Sequence, residues 1–125
     1  NDSANVIIVS YFINGLPIDD PNYDPYPESI YIHDNEFTGG GETPDSEPLA
    51  LLQSATGERI PDVVWDGTAL PGKQGKDILC ISNNGNMSFV NLDASNDFAA
   101  PSFDMMAHDC SLPSLSVISL SSAQQ

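Results

Sequence analysis

The hydrophobic pattern is organised around Ile30-Tyr31-Ile32-His33-Asp34-Asn35-Glu36-Phe37-Thr38-Gly39-Gly40-Gly41. Ile30 and Ile32 alternate with exposed-type residues, an Asn stands where a strand would end, and three glycines close the stretch. Period-2 alternation predicts a half-buried strand, and the glycine run predicts a sharp exit from it. Val6, Ile8, Ile13 and Gly15 stand 24 positions before Ile30, Ile32, Phe37 and Gly39. A repeat of that length, with one strand and one turn per unit, predicts stacked β-coils.

The rest of the pattern fills in around these two units. Val6-Ile7-Ile8-Val9 is a continuous apolar run, as a strand buried on both faces requires, and Asn14-Gly15 predicts a turn. Leu16 to Glu28 carries four prolines, four acids and two tyrosines. It is excluded from helix and from a central strand, and reads as a long loop pinned by Tyr23 and Tyr26. Leu49 to Leu52 is the one candidate helical turn. Further strands are expected at Asp62 to Gly67 (Val63 and Trp65 inward), Ile78 to Gly85 and Met87 to Leu92, with a glycine-rich connection at Leu70 to Lys76. Leu112 to Leu120 alternates as an added edge strand would, and 121–125 reads as a frayed tail.

Length bounds this to one domain: 125 residues support a single modest core. Within it, 1–76 reads as coils with long loops and 77–120 as cap strands. Ten prolines, nine glycines and few helix formers fit a loop-rich all-β chain. No apolar run is long enough to span a bilayer, and no signal-like leader opens the sequence.

Charge changes the picture of partners. Eighteen acidic residues against three basic ones give a formal charge of -15. Nucleic acid and anionic membrane are therefore repelled rather than steered in. Such acidity serves solubility, or else cation binding or recognition of a basic surface. Asp19, Asp20, Asp24 and Glu28 lie close enough in sequence to meet around Ca²⁺, although their spacing is no EF-hand and a solvated loop is the simpler reading. Apart from that calcium, no cofactor is indicated. Cys80 and Cys110, without CxxC or paired Cys/His spacing, read as one disulfide in an oxidising compartment, ahead of two unrelated buried thiols.

The stretches ANVIIVSYFING, YDPYPESIYIHDNEFTGGG, PDVVWDG, ILCISNNGNMSFVNLD and HDCSLPSL together resemble the right-handed parallel β-helix superfamily, the pectate-lyase-like solenoids. Within it the chain is similar to the C-terminal part of secreted bacterial parallel β-helix repeat-containing proteins. The resemblance implies an all-β fold: right-handed parallel β-helix coils with a loop-rich, disulfide-linked C-terminal cap. It also implies secreted or periplasmic localisation, and Asn35 and Asn84 at coil corners, their amides bonding neighbouring backbone.

Enzymes of that superfamily act on polysaccharides with clustered carboxylates, Ca²⁺ and a basic residue, or with paired carboxylates. Asp34 and Glu36 could flank such a site, with His33 beside them, but the single arginine, Arg59, lies in a loop with no matching motif. His33-Asp34 and His108-Asp109 are neighbours whose side chains, on a strand, point to opposite faces, so both histidines read as surface or capping residues. No residue is assigned to catalysis. The expectation is a secreted structural or binding module, a terminal β-helix segment. The alternative is a carbohydrate-active enzyme, lyase-like or hydrolase-like, or a fragment of one. Val6, Ile8 and Ile13 form the expected stacking edge, packing on further coils, another chain or a second copy. Self-stacking would strengthen with salt, because the net charge opposes it.

Overall fold

The computed structural model of the chain describes residues 3–120, so the expected fraying of 121–125 lies outside the described residues. Its strands are short: β1 (Val6–Ile8), β2 (Ile30–His33), β3 (Val63–Trp65), β4 (Leu79–Ser82) and β5 (Phe89–Asn91). Successive strands alternate between two parallel sheets, one ordered β1-β3-β5 and the other β2-β4. Val6 lies opposite Val63, Val63 opposite Phe89, and Ile30 opposite Leu79.

This corrects the all-β expectation. The fold mixes helix with strand, its two parallel sheets are small, and among the described residues no closed or solenoid sheet is formed. The two strands of the 24-residue repeat lie in different sheets and do not pair, so similar local pattern here did not mean stacking. The segment after the glycine run becomes a helix instead, α1 (Glu47–Thr56), with Pro48 in its first turn and Gly57 at its C-cap. Proline is tolerated there because the first helical N–H groups lack partners anyway, and Leu49-Ala50-Leu51-Leu52-Gln53 are good helix formers. The single helical turn expected at Leu49 to Leu52 is thus the centre of a ten-residue helix. A four-residue helix, α2 (Gly75–Ile78), ends the Leu70 to Lys76 connection. Leu112 to Leu120 forms no strand: Leu115, Val117, Ile118 and Leu120 are exposed and pair with no sheet.

The core lies between the sheets. Ile8, Val63, Trp65 and Phe89 meet Ile32, Leu79 and Ile81, with Ile78 and Met87 alongside. The other face of the three-stranded sheet is covered by α1, whose Leu49 and Leu52, three apart and on one helix face, pack on Ile60, Val64 and Val90. Val63, Val64 and Trp65 are therefore all buried, whereas alternation alone assigned only Val63 and Trp65 inward. Burial on both faces does not extend to β1: Ile7 and Val9 are 46% and 44% exposed.

Candidate functional site

The two ends of the three-stranded sheet differ. At β5 the edge carries an antiparallel bridge in which the Asn91 and Ser102 N–H groups donate to each other's carbonyls at 2.8 Å. Nearby, Cys80 of β4 is joined to Cys110 by the expected disulfide. His108 is buried, its Nδ1 2.9 Å from the Leu79 carbonyl and its ring edge-on to Trp65 and Phe89. That corrects the surface reading of His108. The disulfide two residues on holds the segment against β4, and a Cβ on Gly75 would come within 2.9 Å of the ring, so the absence of a side chain there makes the room.

At β1 the edge is open. The Val6 N–H donates to the Asp62 carbonyl and the Ile8 carbonyl accepts from the Asp66 N–H, both at 2.9 Å. Backbone groups alternate sides along a strand, so the N–H and C=O of Ile7 point away from β3, where the sheet has no further strand among the described residues. Ile7, Val9, Phe12 and Ile13 put apolar surface beside this edge, the last two 46% and 49% exposed. The proline-rich loop does not cover it. Tyr23 and Tyr26 dock edge-on against Tyr11 and Phe12 at ring-centroid separations of 5.2 and 5.3 Å, and the Tyr11 N–H donates to the Pro25 carbonyl.

Two buried aspartates fix this end. Asp62 accepts from Arg59, Asn5, and both the N–H and Oγ of Ser88. Burial pushes its pKa up, but the bonds from Arg59 and Ser88 outweigh that and leave it below 3.8. Arg59 also donates to the Gly39 and Gly40 carbonyls at 2.7 Å, so its guanidinium clasps the glycine turn. Asp66 is closed to solvent and accepts the N–H groups of Ser10 at 2.6 Å and Thr68 at 2.8 Å. It thereby ties the exits of β1 and β3 together.

The expected calcium ligands are not gathered. Among the described residues no three His, Cys, Asp or Glu side chains are placed to hold a metal ion, and that includes Asp19, Asp20, Asp24 and Glu28. Asp20 and Asp24 instead accept the N–H groups of Asn22 and Tyr26, two residues on, and so turn their own loop.

Asn35 and Asn84 do come together. The Asn84 side-chain oxygen accepts from the backbone N–H and side-chain amide of Asn35 at 3.0 Å, while its own amide donates to the Ile32 carbonyl at 2.9 Å. One step earlier, His33 Nδ1 lies 2.6 Å from Asp34 Oδ2. Strand alternation does not separate this pair because Asp34 has φ +55°, in the left-handed region, and has already left the strand. Tyr31 stacks on His33 with centroids 4.0 Å apart and its hydroxyl bonds Ser82 Oγ. The bond from His33 and then that from Asn83 hold Asp34 below its ordinary pKa. Its place in the turn accounts for it.

No family model matches the chain, and the comparisons with curated proteins and with solved structures return no match.

Proposed function

We propose that the chain is a non-catalytic binding module acting in an oxidising, extracytoplasmic setting, and that it binds by adding an extended strand of another polypeptide to the β1 edge. One observation carries this reading: the Ile7 N–H and C=O point outward beside exposed Ile7, Val9, Phe12 and Ile13, whereas the β5 edge of the same sheet is bridged at Asn91 by Ser102. Main-chain bonds to such an edge supply affinity, and alternate side chains supply specificity. β1 carries neither of the charge and proline devices that block pairing at an open edge, and only its three-residue length limits it. The Cys80–Cys110 disulfide suits an oxidising compartment.

Charge selects the occupant. At -15 the chain repels a second copy of itself and attracts a basic partner, so the incoming segment combines apolar with basic residues. The test is NMR titration of the 125-residue chain with a short acetylated, amidated peptide alternating Val and Lys, against a control alternating Val and Glu. The Val–Lys peptide is expected to shift the Ile7 and Val9 amides saturably and the control to leave them unchanged. Ile7→Pro removes the outward N–H and spares the bonds to β3, so it should fold and lose binding. Unsaturable shifts scattered over the acidic surface, or equal binding by Ile7→Pro, overturn the proposal.

A further inference from the structure

At the exits of β1, β3 and β5 lies a cavity of about 340 Å³, lined by buried Ser10 and Asp66 and by half-exposed Phe12, Ile13 and Phe98. Its floor holds one buried hydroxyl without a partner and one buried carboxylate without a counter-charge among the described residues. The Ser10 hydroxyl is buried and has no hydrogen-bond partner among the described residues. Asp66 is a fully buried carboxylate without an ion pair, since the ion pairs of the described residues are His33–Asp34 and Arg59–Asp62. A carboxylate offers about four acceptor positions, and Asp66 uses two, on Ser10 N–H and Thr68 N–H. Buried charges are ordinarily paired, and buried hydroxyls ordinarily bonded.

We propose that this cavity receives the cationic side chain of the partner segment, a lysine ammonium or arginine guanidinium whose aliphatic stem lies between Phe12, Ile13 and Phe98. The inference rests on strand addition at β1 and names the side chain that gives it specificity. Ser10 follows β1 by two residues, so the cavity begins two positions beyond the edge at which the segment would pair. An ammonium at the floor would pair the Asp66 carboxylate and supply the Ser10 hydroxyl with a donor, while apolar walls cover the stem, as long basic side chains prefer. Entry needs the rim to part. Ile13 and Phe98 are about half exposed and free to rotate outward, and side-chain rearrangement of this kind is common on binding.

The probe is n-butylammonium chloride, which has the cationic head and stem but no backbone, compared with n-butanol and with sodium chloride at equal ionic strength. Saturable shifts of the Ser10, Ile13, Thr68 and Phe98 amides are expected, with butylammonium binding about tenfold tighter than butanol, the ratio a charge-assisted hydrogen bond supplies. Ser10→Ala keeps both N–H bonds to Asp66, should fold, and is expected to weaken butylammonium several-fold. Equal affinity for butanol, or unchanged butylammonium affinity in Ser10→Ala, overturns the inference. Should the Val–Lys peptide still saturate the Ile7 amide while butylammonium fails, the cavity role falls and strand addition stands. The reverse result separates them the other way.

Discussion

Asp62 and Ser88 grip each other from both directions. The Ser88 N–H and hydroxyl donate to Asp62 Oδ2 at 2.9 and 3.1 Å, and the Asp62 N–H donates to Ser88 Oγ at 2.9 Å. The Val63 N–H adds a bond to the Ser88 carbonyl at 3.0 Å. Two chain segments 26 residues apart are thereby locked just before β3 and β5 begin, which sets the register of Val63 on Phe89.

Asp62→Ala is accordingly expected to lower stability by about 2 kcal/mol, because it takes the acceptor from the half-buried Ser88 N–H and the ion-pair partner from Arg59, which keeps its bonds to Gly39 and Gly40. Denaturant unfolding measures it. A loss under about 1 kcal/mol, the level of an exposed ion pair, would mean that water replaces the carboxylate without penalty.

The pH dependence follows from the same group. Its folded pKa lies below the ordinary 3.8, so its contribution is fully present above that value and disappears as pH falls through the folded one. Wild type is expected to lose stability below about pH 4 more steeply than Asp62→Asn does. Asp34 shifts in the same direction but is exposed, so its share should be smaller and fade with salt. Parallel pH profiles for wild type and Asp62→Asn would contradict the assignment.

Replacing both Cys80 and Cys110 by Ala should cost roughly 3–4 kcal/mol in the chain-entropy view of a cross-link. The bridge joins positions 30 residues apart. Because Cys110 follows His108, the double variant should also raise hydrogen exchange at Leu79 to Ser82. Unchanged exchange there would separate the disulfide from the seating of His108.

Calcium should do little. With Asp20 and Asp24 bonded to their own loop, millimolar Ca²⁺ is expected to move the melting temperature no more than equimolar Mg²⁺ does. A rise specific to calcium would show that Asp19, Asp20, Asp24 and Glu28 can rearrange around it.

Gly67 has φ +86°, and a Cβ there would lie 2.2 Å from the Asn91 side-chain oxygen and 2.8 Å from the Asp93 N–H nitrogen. Gly67→Ala should therefore cost more than the roughly 1 kcal/mol that left-handed strain alone imposes, by loosening the end of β3 from β5. Thermal unfolding of Gly67→Ala against Gly72→Ala, at φ +90° in open space, isolates the clash. Equal effects would leave only the strain.

The sequence by itself determined the local facts. Apolar runs and alternation marked all five strands to within a few residues, though alternation also marked Leu112 to Leu120, which forms none; proline excluded helix from Leu16 to Glu28, and the solitary cysteines named their own partner. These are properties of short windows or of elimination, and a single chain carries them. Which strands pair is a different kind of fact. Val6 and Ile30 look alike in their surroundings, yet each takes a partner tens of residues away, Val63 and Leu79, because burial is settled by the shapes available across the whole core. The ten-residue helix was underestimated because four leucine and alanine positions fit strand or helix until they meet Ile60, Val64 and Val90. His33–Asp34 and the buried His108 escaped for one reason each: a left-handed residue ended the alternation at Asp34, and only the closed β4–Cys110 segment buries His108. The open edge at Ile7 and the unpartnered Ser10 hydroxyl beside buried Asp66 were beyond any sequence window, since each is defined by what the folded chain leaves unsatisfied.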